Sequence, residues 1–561
     1  MFRWRDPISK EEVTVMFHDS YAHRFTPTAS GYETNRGESI ITPDGIALTS
    51  YYRSDNTGPP SSYAEVKEVF KAAGKVFPGA KVQASSFEAF AAEALTPSVV
   101  AALPVYEWEW GDKWVTGMST DPQRLRVYRE VVRARADCIQ SGACSRQDPA
   151  IRNMTRYLAK ISEHTQGEQN EQWNPGYRAS GAALDEKSWS NADFAKVHNN
   201  QTNIFEFGEL SWLEARIFNT LAIAAAPPAL KSSIDARLLA IHEKEAVAVA
   251  PVAGLTKAAD LSRPVRCGRD ALVTFDAATA SLSQLQLGGQ SWTGSLLRYT
   301  YVTYADDEAW DGRKDVKKLA QAEDKLWSAT VSAVFHNATG PAGSGACRIV
   351  AVLSTAPEAH SKYGAPSSGW LEMIFHPSSN GKGDGTGPSV EATFQFRAKQ
   401  TTRLAESMVV SFKPTALPEH LWSMDVLGEW VRPGEVVQGG NYYQHAVNTG
   451  VKYATSPAPG TGGAHPSGLL IETLDAGMAL PMAAPGAGKT DPLQLGESTP
   501  MGEGFGATPM MTEARLIGMA IGLYQNLMPI SGFAQWSPFG TGDFYQREDE
   551  RMSFRFRLSG L

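Results

Sequence analysis

At 561 residues the chain is too long for a single hydrophobic core, and about two to four domains are expected. An apolar content of 42% with 10% aromatic residues supports packed cores, while 52 basic against 60 acidic residues leave a net charge of −8 with no long run of either sign. That balance excludes the basic footprint of a nucleic-acid binder or a protein drawn to anionic membranes.

The longest nearly uninterrupted apolar stretch, Leu221 to Leu230, is broken by Pro227 and Pro228 and is far too short to span a bilayer. MFRWRDPISKEE has no apolar core of a signal peptide. The expectation is a chain with neither a transmembrane segment nor a leader. Four cysteines in such a length make no disulfide framework, and the spacing of Cys138 and Cys144 fits no zinc site. One local disulfide stays open there, with free thiols the expectation. Asn153-Met-Thr155, Asn200-Gln-Thr202 and Asn337-Ala-Thr339 match the glycosylation sequon, a pattern that arises easily by chance, so the compartment stays open.

Residues 1–118 read as alternating strands and helices. Val13–Phe17 and Gly45–Tyr52 are strand-like runs rich in β-branched and aromatic residues. Tyr63, Val66, Val69, Phe70 and Ala73 fall on one helical face, and Pro78-Gly79 stops that helix. Ala80–Ser85 predicts a short strand, after which Ser86 can cap FEAFAAEAL, with Glu88 in its first turn. Leu103–Tyr106 is a further strand. This β-α-β-α order predicts a parallel sheet with ligands beyond the strand C-termini. Ser54–Pro60 and the tryptophan-rich loop after Tyr106 both follow predicted strands, so they should share one rim.

From Asp121 the period changes. Leu125, Tyr128 and Val132 make one helical stripe; Ile151, Met154, Leu158 and Ile161 make a second. Leu210, Leu213, Ile217 and Leu221 make a third, and after the proline pair Leu230, Ile234, Leu238 and Ile241 make a fourth. Such stripes predict a helical bundle whose apolar faces are core. Beyond about Leu261 helical periodicity gives way to short runs such as SLSQLQL, LLRYTYVTY, SATVSAVF, CRIVAVL, WLEMIF, ATFQFRA, SMVVSF and SFRFRL, separated by Gly/Pro-rich turns. Some 300 residues of this pattern predict large antiparallel sheets packed face to face.

The chemistry-bearing stretch is Glu107 to Pro122, EWEWGDKWVTGMSTDP, where Glu109 and Asp112 stand among Trp108, Trp110 and Trp114. Indole faces pack on the apolar faces of sugars and exclude water from a neighbouring acid. A carboxyl group held there has its charged form disfavoured, which moves its pKa toward the range of a general acid. Tryptophans in such numbers also serve as plain core anchors. Gly486-Ala-Gly488-Lys489-Thr490 is no phosphate loop: the first glycine of that motif would fall on Ala483, and no clear strand and helix frame it. His164 follows a helical stripe and by itself complements the helix dipole. Asp55, in SDNTGPP, is by default a turn residue.

Several segments carry a resemblance. In an order of barrel end, helical bundle and very large β-sandwich that resembles the glycoside hydrolase family 38 α-mannosidases, the chain carries SDNTGPPSSYAEVKEVF, KVQASSFEAFA, EWEWGDKWVTGMSTDP, DPAIRNMTRYLAKISEHTQG, GGNYYQHAVNTGVKY, LLIETLDA, GLYQNLMPISGFAQW and the closing FRFRL. They resemble more closely a related family known as a domain of unknown function. The resemblance covers essentially all 561 residues, from the late barrel onward. It implies a multidomain α/β, α and β architecture: the C-terminal part of a (β/α) barrel over 1–118, a helical bundle over 119–255, and a mutarotase-like β-supersandwich over 256–561.

The same resemblance implies a zinc-assisted retaining glycosidase acting on an α-linked, mannose-type sugar. Asp112 matches the acid/base position, with Glu109 a second candidate because the register is off by one. His164 is the nearest match to a zinc histidine, the remaining ligands coming from outside this chain. Asp55, Asn56, Trp110 and Trp114 would contact the sugar, and Asp55, Asp112 and His164 should face one cleft. One feature of the pattern departs. The family opens with an H-x-D zinc pair and an early barrel nucleophile, whereas residues 1–50 offer only the adjacent His18-Asp19. A retaining reaction needs two carboxyl groups roughly 5 Å apart, and the sequence displays only the first. The expectation is an incomplete member lacking the nucleophile, or a catalytically silent carbohydrate-binding protein.

Overall fold

The computed structural model describes residues 1–17, 27–28, 31–32, 39–49, 60–110, 115, 118–162, 215–268, 271–304, 323, 325–337, 347–376, 388–400, 406–436, 444–455, 467–484, 514–526 and 551–561. The chain divides into two compact units, Met1–Trp108 and Glu109–Leu561.

In the first unit β1 (Phe2–Arg5) pairs antiparallel with β2 (Glu12–Val15). Two small hairpins follow, β3 (Pro27–Thr28) with β4 (Gly31–Tyr32) and β5 (Ser39–Ile41) with β6 (Ala47–Thr49). Helix α1 (Tyr63–Val76) starts at Ser62, whose hydroxyl accepts from the Glu65 amide at 3.2 Å, and buries Ala72, Ala73 and Val76. Ser86 caps α2 (Phe87–Ala94) in the same way, as its sequence predicts, and Thr96 caps α3 (Pro97–Ala102). Strand β7 (Val105–Tyr106) then pairs parallel with β1. Among the described residues this sheet is therefore mixed and three-stranded, where a parallel series was expected. The stretch 80–86 forms no strand: it is exposed apart from a half-buried Val82, so it has too little apolar surface to dock.

Among the described residues the second unit opens with four helices: α4 (Pro122–Gln140), α5 (Pro149–Ile161), α6 (215–225) and α7 (Pro228–Ala246). Prolines in the first turn and the caps Asp121 and Asp148 set the starts of α4 and α5. Ile151, Met154, Leu158 and Ile161 are all buried, meeting Val131, Ala134, Leu230 and Ile234 in one core. The third stripe is corrected. Leu210 and Leu213 lie outside the described residues, and Ile217 is 50% exposed while Asn219, Ala222 and Ala226 face inward. A polar residue leads the buried face because the Asn219 amide donates to the Arg124 carbonyl at 3.0 Å, a role that hydrophobic periodicity does not register.

The rest is a β-sandwich with a short helix, α8 (Pro357–Tyr363). One sheet runs β21 (His445–Ala446), β24 (Met478–Ala483), β25 (Leu516–Asn526), β18 (Glu406–Pro414), β12 (Gln290–Thr303), β11 (Ser281–Leu287), β10 (Ala271–Asp276), β9 (Val265–Cys267), with β13 (Lys325–Ser328) also on β12. The other runs β20 (Glu429–Val431), β19 (His420–Val426), β22 (Gly450–Thr455), β23 (Gly468–Thr473), β26 (Met552–Gly560), β17 (Ser389–Arg397), β16 (Ser368–His376), β15 (Cys347–Ser354), β14 (Thr330–His336), β8 (Thr256–Lys257). All pairings in both are antiparallel, and each of the eight β-rich runs named from sequence falls on a strand.

The two sheets share one core. Tyr299 of β12 packs on Phe396 of β17 with ring centroids 4.4 Å apart, and Phe412 of β18 meets Phe556 of β26 at 6.2 Å. Cys267 and Cys347 bridge β9 to β15 and so tie sheet to sheet across 80 residues. Cys138 and Cys144 close the turn after α4. All four cysteines are paired, which overturns the expectation of free thiols. One pair forms because the chain reverses at Gly142 (φ 75°), the other because sheet packing joins residues distant in sequence.

Candidate functional site

The segment that carries the tryptophans is fastened to the sandwich at both ends. At its start Glu109 forms a parallel bridge with Val436, its amide donating to the Glu435 carbonyl at 3.1 Å. At its end Ser119 accepts from the Gln525 amide at 3.1 Å, and the Thr120 hydroxyl donates to the Gln525 carbonyl at 2.8 Å. Ser119, Thr120 and Asp121 are completely buried. Trp110 is half-buried, as is Glu109, which does not line the cavity described below. Asp112, Trp114, Asp55, Asn56 and His164 lie outside the described residues.

Asp121 does two jobs. One oxygen caps α4 by accepting from the Arg124 amide at 3.0 Å, and both oxygens hold Arg216 of α6, at 2.7 and 3.0 Å. Burial pushes this carboxyl upward, but the charges and hydrogen bonds of Arg216 and Arg124 outweigh it, leaving the group below its usual range.

Beside the apolar stripe of α4 runs a second stripe, Arg126, Arg129 and Arg133, that fixes the helix to the sandwich. Arg126 pairs with buried Glu245 of α7, which also accepts from the Ser553 amide and hydroxyl, both at 2.9 Å. Arg129 donates to the carbonyls of Val447 (2.8 Å), Asn448 (2.6 Å), Leu474 (3.3 Å) and Thr473. Val447, Asn448 and Leu474 lie just outside the strands and Thr473 ends β23, so one guanidinium answers four acceptors. Gly477 makes room for it: a Cβ there would lie 3.3 Å from Arg129 Nη1. Burial, together with the like charge of Arg133, lowers the Arg129 pKa to about 10, opposed by Asp475, Tyr128 and Asp425. Arg133 donates to Leu474 carbonyl at 2.7 Å and to Glu130 at 2.6 Å. Arg555 of β26 closes the seam on Asp475 (2.7 Å) and Glu130 (2.9 Å).

Between this helix and the sandwich lies a cavity of about 810 Å³. Its floor is α4, with Arg124, Leu125, Tyr128, Arg129, Val132 and Arg133. Val115 and Met118 of the tryptophan-rich segment form one side, and Ile161 with Ser162, immediately after α5, another. The sandwich closes it with Ala446–Thr449, Glu472–Leu474 and Leu427. Leu427 sits at the tip of the β19–β20 turn, 96% exposed, with φ 55°. A branched side chain in the left-handed region costs about 1 kcal/mol, a strain that persists when neighbours over-determine it. Here Asp425 does so, its carboxylate accepting from the Gly428 amide at 2.8 Å and the Thr449 amide at 2.9 Å.

The family model for a domain of unknown function, DUF5054, matches residues 118–330. The match begins on the cavity wall, takes in α4 and its neighbouring helices, and ends at the start of β14. No curated protein matches the chain.

Among the described residues no three His, Cys, Asp or Glu side chains come together in a way that could hold a metal ion. His164, the zinc ligand implied by the resemblance, lies outside the described residues. Sequence reading missed Tyr128, Arg129 and Arg133 as cavity residues. Their signal was available: arginines at 126, 129 and 133 recur at helical spacing beside a stripe read as core.

Proposed function

We propose that this chain is a carbohydrate-active protein of the glycoside hydrolase type, binding an α-linked, mannose-type sugar in the cavity beneath the tryptophan-rich segment. One observation carries this reading. Segments quoted separately for their resemblance border a single cavity: Val115 and Met118 downstream of Asp112, Ile161 and Ser162 just before His164, Ala446–Thr449, and Glu472–Leu474. Its volume lies within the ordinary range for small-molecule sites, roughly 300–1,000 Å³. Its walls mix C–H surface from Leu125, Val132 and Met118 with the polar groups of Tyr128, Asn448 and Thr449, the combination that a sugar ring's two kinds of face require.

In this reading Asp112 is the general acid and protonates the departing oxygen, and the tryptophans keep water from it. A retaining reaction also needs a nucleophilic carboxylate, for which the sequence offers no match. Sugar recognition is the part of this reading that the cavity supports. The test is calorimetric titration of the intact chain with methyl α-mannoside and α-linked manno-oligosaccharides, alongside Val132→Trp, which fills the cavity. Saturable binding that the substitution abolishes, with the thermal midpoint retained, supports the reading. Absence of binding across the series, or undiminished binding by the filled variant, sinks it.

A further inference from the structure

The cavity's charge is lopsided. Arg124, Arg129 and Arg133 line the cavity with one carboxylate, Glu472, which lies 3.7 Å from Arg557 on the sheet, while the Arg124 charge acts on Asp121. The other carboxylates close by are engaged elsewhere. Asp121 holds Arg216, Asp475 holds Arg555, and Asp425 accepts from two backbone amides. Glu130 is shared among Arg133, Arg237 and Arg555. Arg129 directs its hydrogen bonds to carbonyl oxygens, and Asp475 and Asp425 act on its charge without a hydrogen bond to it among the described contacts. Arg133 uses two of its N–H groups, on Leu474 and Glu130, out of the five that a guanidinium offers. The Tyr128 side chain, one turn before Val132 on the same wall, has its hydroxyl pKa raised by burial, with the Arg129 charge opposing.

Resting on the sugar-site reading above, we propose that the cavity selects a saccharide bearing an anionic substituent, a carboxylate, sulfate or phosphate, held by Arg133 and Tyr128 over the fixed charge of Arg129. A guanidinium and a phenol hydroxyl both donate to an oxyanion, and charge-assisted bonds of this kind are about twice as strong as neutral ones. The local preference is independent of the chain's overall net charge of −8, which would repel an anion at long range.

The experiment compares methyl α-mannoside with its 6-phosphate, its 6-sulfate and the corresponding uronic acid, and with inorganic phosphate and sulfate alone, on the intact chain. At least one anionic glycoside should bind about tenfold tighter than the neutral one at low salt, the margin shrinking as ionic strength rises. The tightest arm names the substituent. Arg133→Gln should bring the ratio of anionic to neutral glycoside affinity down to about one, and Tyr128→Phe should reduce that ratio about threefold. Equal binding of neutral and anionic glycosides, or a preference that survives Arg133→Gln, overturns the proposal but leaves the sugar reading standing. Inorganic phosphate or sulfate binding as tightly as any glycoside overturns both, because the sugar would then contribute nothing.

Discussion

Arg216 grips both oxygens of Asp121, at 2.7 and 3.0 Å, where the tryptophan-rich segment passes into helix α4. The contact couples α6 to the helix start that also floors the cavity. Asp121→Ala removes the cap and strands a guanidinium, and should cost about 3–5 kcal/mol. Asp121→Asn keeps an acceptor for the Arg124 amide and should cost less. Urea unfolding of the two variants measures the difference, and equal losses would show that the ion pair, not the cap, is what matters.

The same geometry sets the acid response. Asp121, Glu130 and Asp475 are each pushed upward by burial and pulled further down by neighbouring arginines, ending below the usual carboxylate range. A carboxyl whose folded pKa is depressed contributes stability that is present above its unfolded value, about 4. That contribution is lost as pH falls through the folded value. Urea midpoints should therefore hold steady down to about pH 4 and then drop, with a shallower drop in Asp121→Asn, which titrates one carboxyl fewer. A stability loss beginning near pH 6 would contradict this assignment.

Arg129 answers four backbone carbonyls from one guanidinium. Arg129→Ala leaves buried acceptors unpaired and should cost at least ~3 kcal/mol. Arg129→Lys should recover only a fraction, since a single ammonium lacks the planar fork that reaches both strand ends. Full recovery by lysine, read from chemical denaturation, would mean that charge alone holds the helix to the sandwich.

The two disulfides should contribute unequally. In the chain-entropy model a bridge across 80 residues stabilises by about 4.5 kcal/mol and one across 6 residues by about 2 kcal/mol. Cys267→Ser with Cys347→Ser should accordingly lower the thermal midpoint more than Cys138→Ser with Cys144→Ser. The denatured, unreduced chain should titrate no free thiol.

Asp112→Asn tests the acid assignment in the proposed function. It should leave sugar affinity within about threefold and the thermal midpoint unchanged, while lowering any glycosidase turnover at least ~100-fold, the scale for losing a general acid. Unchanged turnover would return the role to Glu109 or to neither residue.

Much of this molecule was legible before any coordinates. Short β-rich runs such as Cys347–Leu353 and Ser407–Phe412 specify strands because their branched and apolar side chains must be buried, in the second run on both faces. The stripe Ile151, Met154, Leu158 and Ile161 specifies a helix for the same reason at a different period. Ser86 announced a helix start through capping chemistry that acts within three residues. Where local signal was weak it misled: Ala80–Ser85 has a single β-branched residue, Val82, and Ile217 lost its predicted place to an asparagine bonded to Arg124.

What the sequence by itself determined is therefore the succession of elements and their buried faces, since propensity, capping and periodicity are properties of neighbouring residues. Which elements meet was decided only by tertiary structure. Nothing local predicts that Cys267 finds Cys347, that Arg129 reaches the carbonyls of 447 and 474, or that Met118, Ile161 and Thr473 border one cavity. Those pairings follow from how twisted sheets and helices bury their faces against one another, a global condition in which each contact depends on all the others being made.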